Sequence, residues 1–280
     1  MLHSLKSLYT INDMRPINPT FSIIIPAFNE ENRIGTTLLD WVNFLSAYYA
    51  DDYEILIIID GCTDHTLELV AEICSQTEVI RSFYSPTRLG KGGALLEAFE
   101  RCKGDYIFFT DADGSLPVTE FPKFVRALKT HDLVIGTRYF KGSIFLDNVC
   151  FSRFMASRAF NALLKLFFPQ LRNVYDTQCG AKILKKNIVD HVNGELLITD
   201  FAFDVNLLLS ALNNGFKFGE VPVQNNHVEN GSKVSRMLLK TSFKMFFSLV
   251  RLRFYYSKFR PFLYCRFLKC SMRFFLSVLR

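Results

Sequence analysis

Three times in the amino-terminal part of the chain, an apolar β-branched run ends in a polar turn that leads into a helix-forming stretch. Phe21-Ser-Ile-Ile-Ile-Pro26 is followed by Ala27-Phe-Asn-Glu-Glu31 and a segment that reads as helical to about Tyr49. Tyr53 to Ile59 is followed by Asp60-Gly-Cys-Thr-Asp64 and a helix through Cys74. Glu78 to Tyr84 is followed by Arg88-Leu-Gly-Lys-Gly-Gly93 and a helix through Cys102. Runs that are apolar at nearly every position suit strands buried on both faces, and their alternation with helices predicts a mostly parallel sheet flanked by helices. Asn29 is expected to cap the first helix, with Glu30 and Glu31 in its favourable first turn.

A fourth run, Tyr106-Ile-Phe-Phe109, ends in Thr110-Asp-Ala-Asp-Gly114. Side chains alternate along an extended chain, so Asp111 and Asp113 are expected to project from the strand end toward one point and to hold Mg²⁺ or Mn²⁺ there. Such ions bind through one or two carboxylates and complete their shell with water and phosphate, which makes a diphosphate the natural partner. A bare Asp-x-Asp also fits an Asx turn. The neighbours favour a site: the loops at the strand carboxyl ends, where ligands bind in open α/β sheets, carry Asn29, Glu30, Asp60, Asp64, Lys91, Asp111 and Asp113.

Further along, Phe121 to Lys129 reads as a helix, Asp132 to Arg138 as a strand delivering a cation, and residues 147–168 as a helix with one apolar face. Val174 to Leu184 is turn-like and then extended, Thr199 to Asp204 opens a helix to about Leu212, and Lys217 to Gln224 is a last strand. Residues 1–20 read as a loosely ordered polar leader without the apolar core of a signal peptide. With 280 residues and 49% hydrophobic content, the chain suits one large α/β domain or one domain with an appendage. Its seven cysteines form no CxxC pair or zinc-like spacing, which suits free thiols in a reducing compartment.

The net charge of +6 is unevenly spread. Asn230 to Arg280 holds twelve Lys/Arg and no Asp/Glu, so the other 229 residues carry a balance of −6. Residues 237–280 interleave twelve Phe/Tyr with ten Lys/Arg, and Pro261 is expected to break them into two helices. No charge-free window there is long enough to span a bilayer, so an amphipathic pair lying on an anionic membrane surface is expected. The alternative is an aromatic helix that packs into a core or a homo-oligomer interface. No nucleic-acid-binding motif accompanies the charge.

Taken together, Pro26-Ala-Phe-Asn-Glu-Glu31, Asp60-Gly-Cys-Thr-Asp64, Gly90-Lys-Gly-Gly93, Asp111-Ala-Asp113, Gly136-Thr-Arg138, Asp176-Thr-Gln-Cys-Gly180 and Gly231-Ser-Lys-Val234 resemble the motifs of inverting glycosyltransferases with the Rossmann-like GT-A fold. Among these the chain is most similar to the polyprenyl-phosphate sugar synthases of the dolichyl-phosphate glucosyltransferase type. The resemblance spans residues 21–236, leaving 1–20 as leader and 237–280 as a basic amphipathic extension. It implies transfer of one hexose from a nucleotide sugar, UDP-glucose, to a polyprenyl phosphate, on a membrane-associated enzyme whose catalytic domain faces the cytosol. A GDP-mannose donor, a glycan, diacylglycerol or protein acceptor, and a catalytically silent membrane module are the alternatives.

By the same resemblance Asp60 contacts the uracil or ribose, residues Pro26, Ala27, Asn29 and Glu30 wall the base pocket, and Asp64, Gly90, Gly92 and Ala112 line the donor site. Lys91 neutralises phosphate, with its flanking glycines letting backbone N–H groups approach, and Asp111 and Asp113 hold the metal. A phosphate monoester has a second pKa of about 6, so the acceptor needs positioning between cations more than a strong base. Arg138, Lys182, Lys233 and Arg236 are the candidate cations. Asp176 is expected beside the anomeric carbon as base or orienting group, and Asp204 competes for that role. The pattern departs from related synthases in that no Trp precedes Gly231-Ser-Lys233. The sole Trp is Trp41, so the Gln-x-x-Arg-Trp signature of processive synthases is missing too.

Overall fold

Strands form where the sequence is apolar on both faces. The computed structural model describes residues 9–11, 20–50, 52–138, 160–200, 202–224 and 234–257. Its strands are β1 (Tyr9–Ile11), β2 (Phe21–Ala27), β3 (Tyr53–Asp60), β4 (Ile80–Ser85), β5 (Tyr106–Phe109), β6 (Leu133–Thr137), β7 (Lys182–Lys185) and β8 (Phe218–Pro222). They make one sheet in the order β1-β4-β3-β2-β5-β7-β6-β8. Neighbours β4, β3, β2 and β5 pair in parallel, as do β6 and β8, while β7 runs antiparallel to both β5 and β6. Six strands therefore share one direction, and their carboxyl ends meet at one edge. Only β1 and β7 are reversed.

The helices are α1 (Ile34–Tyr49), α2 (Thr66–Gln76), α3 (Lys91–Phe99), α4 (Phe121–Ala127), α5 (160–167), α6 (Lys186–Val192), α7 (Phe203–Asn213) and α8 (Val234–Tyr255). One face of the sheet (Ile23, Ile25, Ile55, Ile57, Ile59, Phe108, Val134) is covered by α1, α2 and α4, with Trp41, Val70, Phe121 and Phe124 in that layer. The other face (Ile24, Leu56, Ile58, Ile107, Phe109, Ile135) is covered by α3, α5, α6, α7 and α8. Alternate residues of each strand thus enter opposite cores, as the period of an extended chain demands. In α1 the buried positions are Ile34, Thr37, Leu38, Trp41 and Leu45, the spacing of a single helical stripe.

Four expectations change. Asn29 does not cap α1: its backbone is left-handed (φ 55°), and its side-chain oxygen accepts the Thr63 N–H at 2.8 Å. The chain instead passes through a turn closed by Arg33 and Ile34 N–H groups on the Glu30 carbonyl, and no acidic residue lies in the first turn of α1. Part of the leader is ordered, because β1 adds to the sheet beside β4. The strand before Asp111 ends at Phe109, so Asp111 and Asp113 sit in the turn beyond it rather than on alternate strand positions. Helix α6 was not anticipated from the sequence.

The boundary expected at 236/237 falls inside α8. Leu249 and Leu252 are fully buried in the second core, Tyr255 is buried, and Phe246 meets Phe167 of α5 at 6.1 Å between ring centres. Ser248 donates to Asp200 at 2.6 Å, and the Tyr256 hydroxyl hydrogen-bonds Ser210 at 2.6 Å. Residues 245–257 therefore belong to the body of the protein. Residues 258–280 of the extension, including Pro261, lie outside the described residues, as does 147–159 of the expected 147–168 helix. No helix among the described residues is long and apolar enough to cross a membrane. Leu249→Ala is expected to lower the unfolding free energy by roughly 2–5 kcal/mol, the cost of a buried Leu truncation. A loss below about 1 kcal/mol in a denaturant titration would mean that α8 is not part of the core.

Candidate functional site

At the carboxyl edge the loops after β2 and β3 are stitched together. Asn29 bonds Thr63, the Glu30 N–H donates to the Thr66 hydroxyl at 2.8 Å, and the Glu31 N–H donates to Asp64. Asp64 also takes the Thr66 hydroxyl at 2.6 Å and the Thr66 N–H at 3.1 Å, so it holds the start of α2. Its partial burial acts against ionisation, but these hydrogen bonds outweigh it and leave the carboxyl below its ordinary range. Asp64 is thus a loop-forming residue here, and Asn29 is committed to the same seam. Ala27 is buried and Pro26 half-buried at the end of β2. Across this loop Arg88 stacks on the Phe28 ring at 3.4 Å, a contact missed in the sequence because Phe28 and Arg88 are far apart along the chain.

Asp60 closes β3, nearly inaccessible to solvent. Its two oxygens accept the backbone N–H groups of Leu89 (2.5 Å) and Gly90 (3.0 Å), which anchors the loop leading into α3. Burial raises its pKa, against the pull of those donors and of Arg88. Lys91 follows at once as the first residue of α3, and its ammonium reaches Asp111 at 2.7 Å and lies 3.9 Å from Asp204. Burial opposes the charge on Lys91, yet Asp111 and Asp204 together lift its pKa above the ordinary range. Burial likewise opposes charge on Asp111, but Lys91, then Lys182 and Arg138, hold its carboxyl below the usual value.

The glycines around Lys91 serve a purpose other than the one expected. The N–H groups of Gly92 and Gly93 point at the Thr199 carbonyl (3.0 and 3.3 Å), and those of Leu89 and Gly90 at Asp60. All four therefore already have an acceptor within the protein. A Cβ on Gly92 would lie 2.7 Å from both the Ile198 carbonyl oxygen and the Phe203 Cβ, so glycine is there to let α3 press against Ile198 and Phe203. Gly180 has a comparable task, since a Cβ on it would overlap the Asp111 carboxylate.

Asp111 keeps 41% of its side chain exposed despite these neighbours. Asp113 caps its own turn by accepting the Ser115 N–H at 3.0 Å, and the Ala112 carbonyl accepts the Thr37 hydroxyl at 3.1 Å. Glu30 lies close enough to Asp111 and Asp113 to feel their charge. Its pKa is raised, first by burial and then by those carboxylates, against the opposing pull of Arg33 at 2.5 Å. The donor set fits a hard divalent cation: two oxygen ligands from one turn, both part-exposed, with the nearby ammonium showing that Asp111 already attracts positive charge. No group of three His, Cys, Asp or Glu side chains that could cage a metal exists among the described residues, so water and phosphate oxygens would complete the shell.

Arg138 and Asp176 form a two-pronged pair: Nε donates to Oδ2 at 2.7 Å and Nη2 to Oδ1 at 3.1 Å. The N–H groups of Arg138 and Gln178 add two further donors, and Asp176 is fully buried, whereas 31% of the Arg138 side chain reaches solvent. A carboxylate so enclosed is shut away from direct contact with a substrate and well placed to aim a guanidinium. Glu220, a residue that sequence reasoning missed, accepts the N–H groups of Tyr175 (3.0 Å) and Asp176 (3.3 Å) and so steadies this loop from β8.

Lys182 stands apart from its expected role at a bound phosphate. It is entirely buried at the start of β7, donating to the Cys179 carbonyl at 2.5 Å and to Asp204 at 2.7 Å. Asp204 in turn lies in the first turn of α7 and is shut off from solvent. Arg236 lies in the first turn of α8, and Lys233 lies outside the described residues.

A family model described as "Glycosyl transferase family 2" matches residues 22–192, more than half of the chain. The chain belongs to glycosyl transferase family 2. It is a glycosyltransferase with a GT-A-type α/β fold. A dolichyl-phosphate beta-glucosyltransferase of Dictyostelium discoideum is 32% identical to this family 2 member over 276 residues, covering 91% of this chain and 80% of the relative. The glycosyltransferase AglD of Haloferax volcanii is 30% identical over 205 residues; the match takes in 72% of this chain and only 32% of AglD. In fold, the chain resembles glucosyl-3-phosphoglycerate synthase from Mycobacterium tuberculosis, solved with Mn²⁺, UDP and phosphoglyceric acid (TM-score 0.58, 21% identity, covering 81% and 78% of the two chains).

Gly180→Ala is expected to push Asp111 out of its place, reducing sugar transfer at least ~10-fold while changing stability by less than about 1 kcal/mol, since Asp111 can swing to solvent. Turnover and thermal melts on the same preparation check both halves.

Proposed function

We propose that this glycosyltransferase moves one hexose, glucose from UDP-glucose, onto a polyprenyl phosphate with inversion. The observation that carries the proposal is the unbroken run of contacts from Asp60 through the Leu89–Gly90 backbone to Lys91 and on to Asp111. It sets a group suited to a nucleoside, a cation suited to phosphate and a metal-binding turn side by side. The names of relatives such as the dolichyl-phosphate beta-glucosyltransferase of Dictyostelium support the acceptor class, and the fold neighbour solved with Mn²⁺ and UDP supports the donor and the metal.

In this reading Asp60 contacts the uridine, with Pro26, Ala27 and the Phe28–Arg88 stack as the pocket wall, and Lys91 neutralises diphosphate. Asp111 and Asp113 would hold Mg²⁺ or Mn²⁺, which when bound offsets negative charge on the departing UDP. The acceptor phosphate is largely ionised near neutral pH, so its oxygen attacks the anomeric carbon without a strong base. As that carbon–oxygen bond forms, the bond to the β-phosphate breaks and UDP leaves with the electron pair. Arg138, held by Asp176, is the cation presented to the acceptor side; Lys233 and Arg236 are further candidates from sequence. Asp176 acts as the orienting group rather than the base, which four donors and complete burial support.

Membrane association is the second part of the proposal. Helix α8 carries no acidic residue, exposes Phe246, Phe254, Arg251 and Arg253, and leads into the basic aromatic residues 258–280. Such a surface suits anionic headgroups, with the catalytic body on the cytosolic side.

A panel of UDP- and GDP-sugars with a polyprenyl phosphate is expected to yield Mn²⁺-dependent transfer from UDP-glucose, abolished by Asp113→Ala; preferred transfer from GDP-mannose would replace the donor assignment. Deleting residues 258–280, which leaves the buried part of α8 in place, is expected to release the protein from anionic liposomes in a sedimentation assay. Undiminished co-sedimentation would reject the role of that segment.

A further inference from the structure

Beneath the metal-binding turn, four charges stand in a row. Asp111 touches Lys91 at 2.7 Å, Lys91 lies 3.9 Å from Asp204 Oδ2, and Asp204 Oδ1 receives Lys182 at 2.7 Å. Two carboxylates alternate with two ammonium groups, so the row is neutral as it stands. The far pair is sealed: Lys182 is fully buried and its ammonium is shared with the Cys179 carbonyl. The near pair is not, because Asp111 is part-exposed and Lys91 keeps 14% of its side chain accessible. Asp204 thus offers one oxygen to Lys182 and turns the other toward Lys91, slightly too far for a hydrogen bond.

We infer that Lys91 is a resident cation which exchanges between Asp111 and Asp204, and that Asp204, fixed by Lys182, sets how readily Asp111 is surrendered to a divalent metal. The inference rests on the assignment of Asp111 and Asp113 as metal ligands and gives Asp204 a positioning role in place of the base or sugar contact. A movement of the Lys91 ammonium by roughly 1 Å brings it within hydrogen-bond distance of Asp204. A four-carbon stem accommodates such a movement easily. When a divalent ion meets Asp111, like charges repel the ammonium, and Asp204 is the nearby anion able to receive it. Without Asp204 the ammonium would have to stay on Asp111 or enter a site of uncompensated charge.

The test is Mn²⁺ binding to the full-length protein without nucleotide, read from the electron paramagnetic resonance signal of free Mn²⁺. Lys91→Met removes the competing cation and is expected to tighten Mn²⁺ binding severalfold, up to ~10-fold, while weakening UDP. Asp204→Asn removes the alternative anchor and is expected to weaken Mn²⁺ binding by a similar factor. Because Asp204→Asn strands the Lys182 charge, the double variant Asp204→Asn/Lys182→Met, which removes the buried pair together, is measured beside it and should be weakened likewise. A merely structural role would shift all the variants in the same direction, toward weaker binding. If Lys91→Met binds no tighter, or if neither Asp204 variant binds more weakly, the exchange is refuted while the metal assignment stands. If wild-type protein binds no Mn²⁺ with or without UDP, the metal assignment falls and the exchange with it.

Discussion

Charge removed from water must be matched where it is buried, and at the carboxyl edge of this sheet that requirement shapes nearly everything else. Asp60 is satisfied by two backbone N–H groups, Asp176 by a guanidinium and two more N–H groups, and Asp204 by a buried ammonium. Apart from Gln178, two positions from Asp176, each partner comes from a distant part of the chain, so these pairings fix loops that local propensity alone would leave undecided. The two hydrophobic layers supply a dry floor beneath these pairs, which makes a missing partner costly.

Strand direction decides which groups reach that edge. In β2 to β5 the polar loops follow the strands, as in any parallel α/β sheet. The reversed β7 does the opposite: the Asp176-to-Gly180 segment enters the sheet from the edge, and Lys182, its first strand residue, pairs with Phe109 and Ile135. One antiparallel strand therefore seats an additional loop between the ends of β5 and β6, with Gly180 against Asp111 and Asp176 against Arg138. Parallel connections alone would leave that gap to solvent.

The strands other than β1, most helices and the convergence of Asp60, Lys91 and Asp111 were legible in the sequence because period, turn chemistry and residue type agreed there. Residues whose partners are remote were harder to read. Asn29 has the signature of a helix cap, but Thr63 from another loop claims its side chain. Gly92 looks like a phosphate contact and is instead a close approach to Ile198 and Phe203, which nothing near it in sequence announces. Lys182 reads as a cation for the acceptor phosphate because its burial depends on an aspartate 22 positions away. The aromatic-basic character of α8 favoured a membrane-surface helix over the core-packing alternative, yet its Leu249 and Leu252 stripe packs inward, and the 3.6-residue period within 245–257 was the available signal.

The clasp between Arg138 and Asp176 has an evolutionary corollary. These residues are 38 positions apart, yet their side chains meet at 2.7 Å, so the chain departs from the sheet and returns at nearly the same point. The clasp thus pins together two points that lie far apart along the chain. Because doubling such a span costs only about 0.6 kcal/mol in closure entropy, insertions there are cheap for the fold.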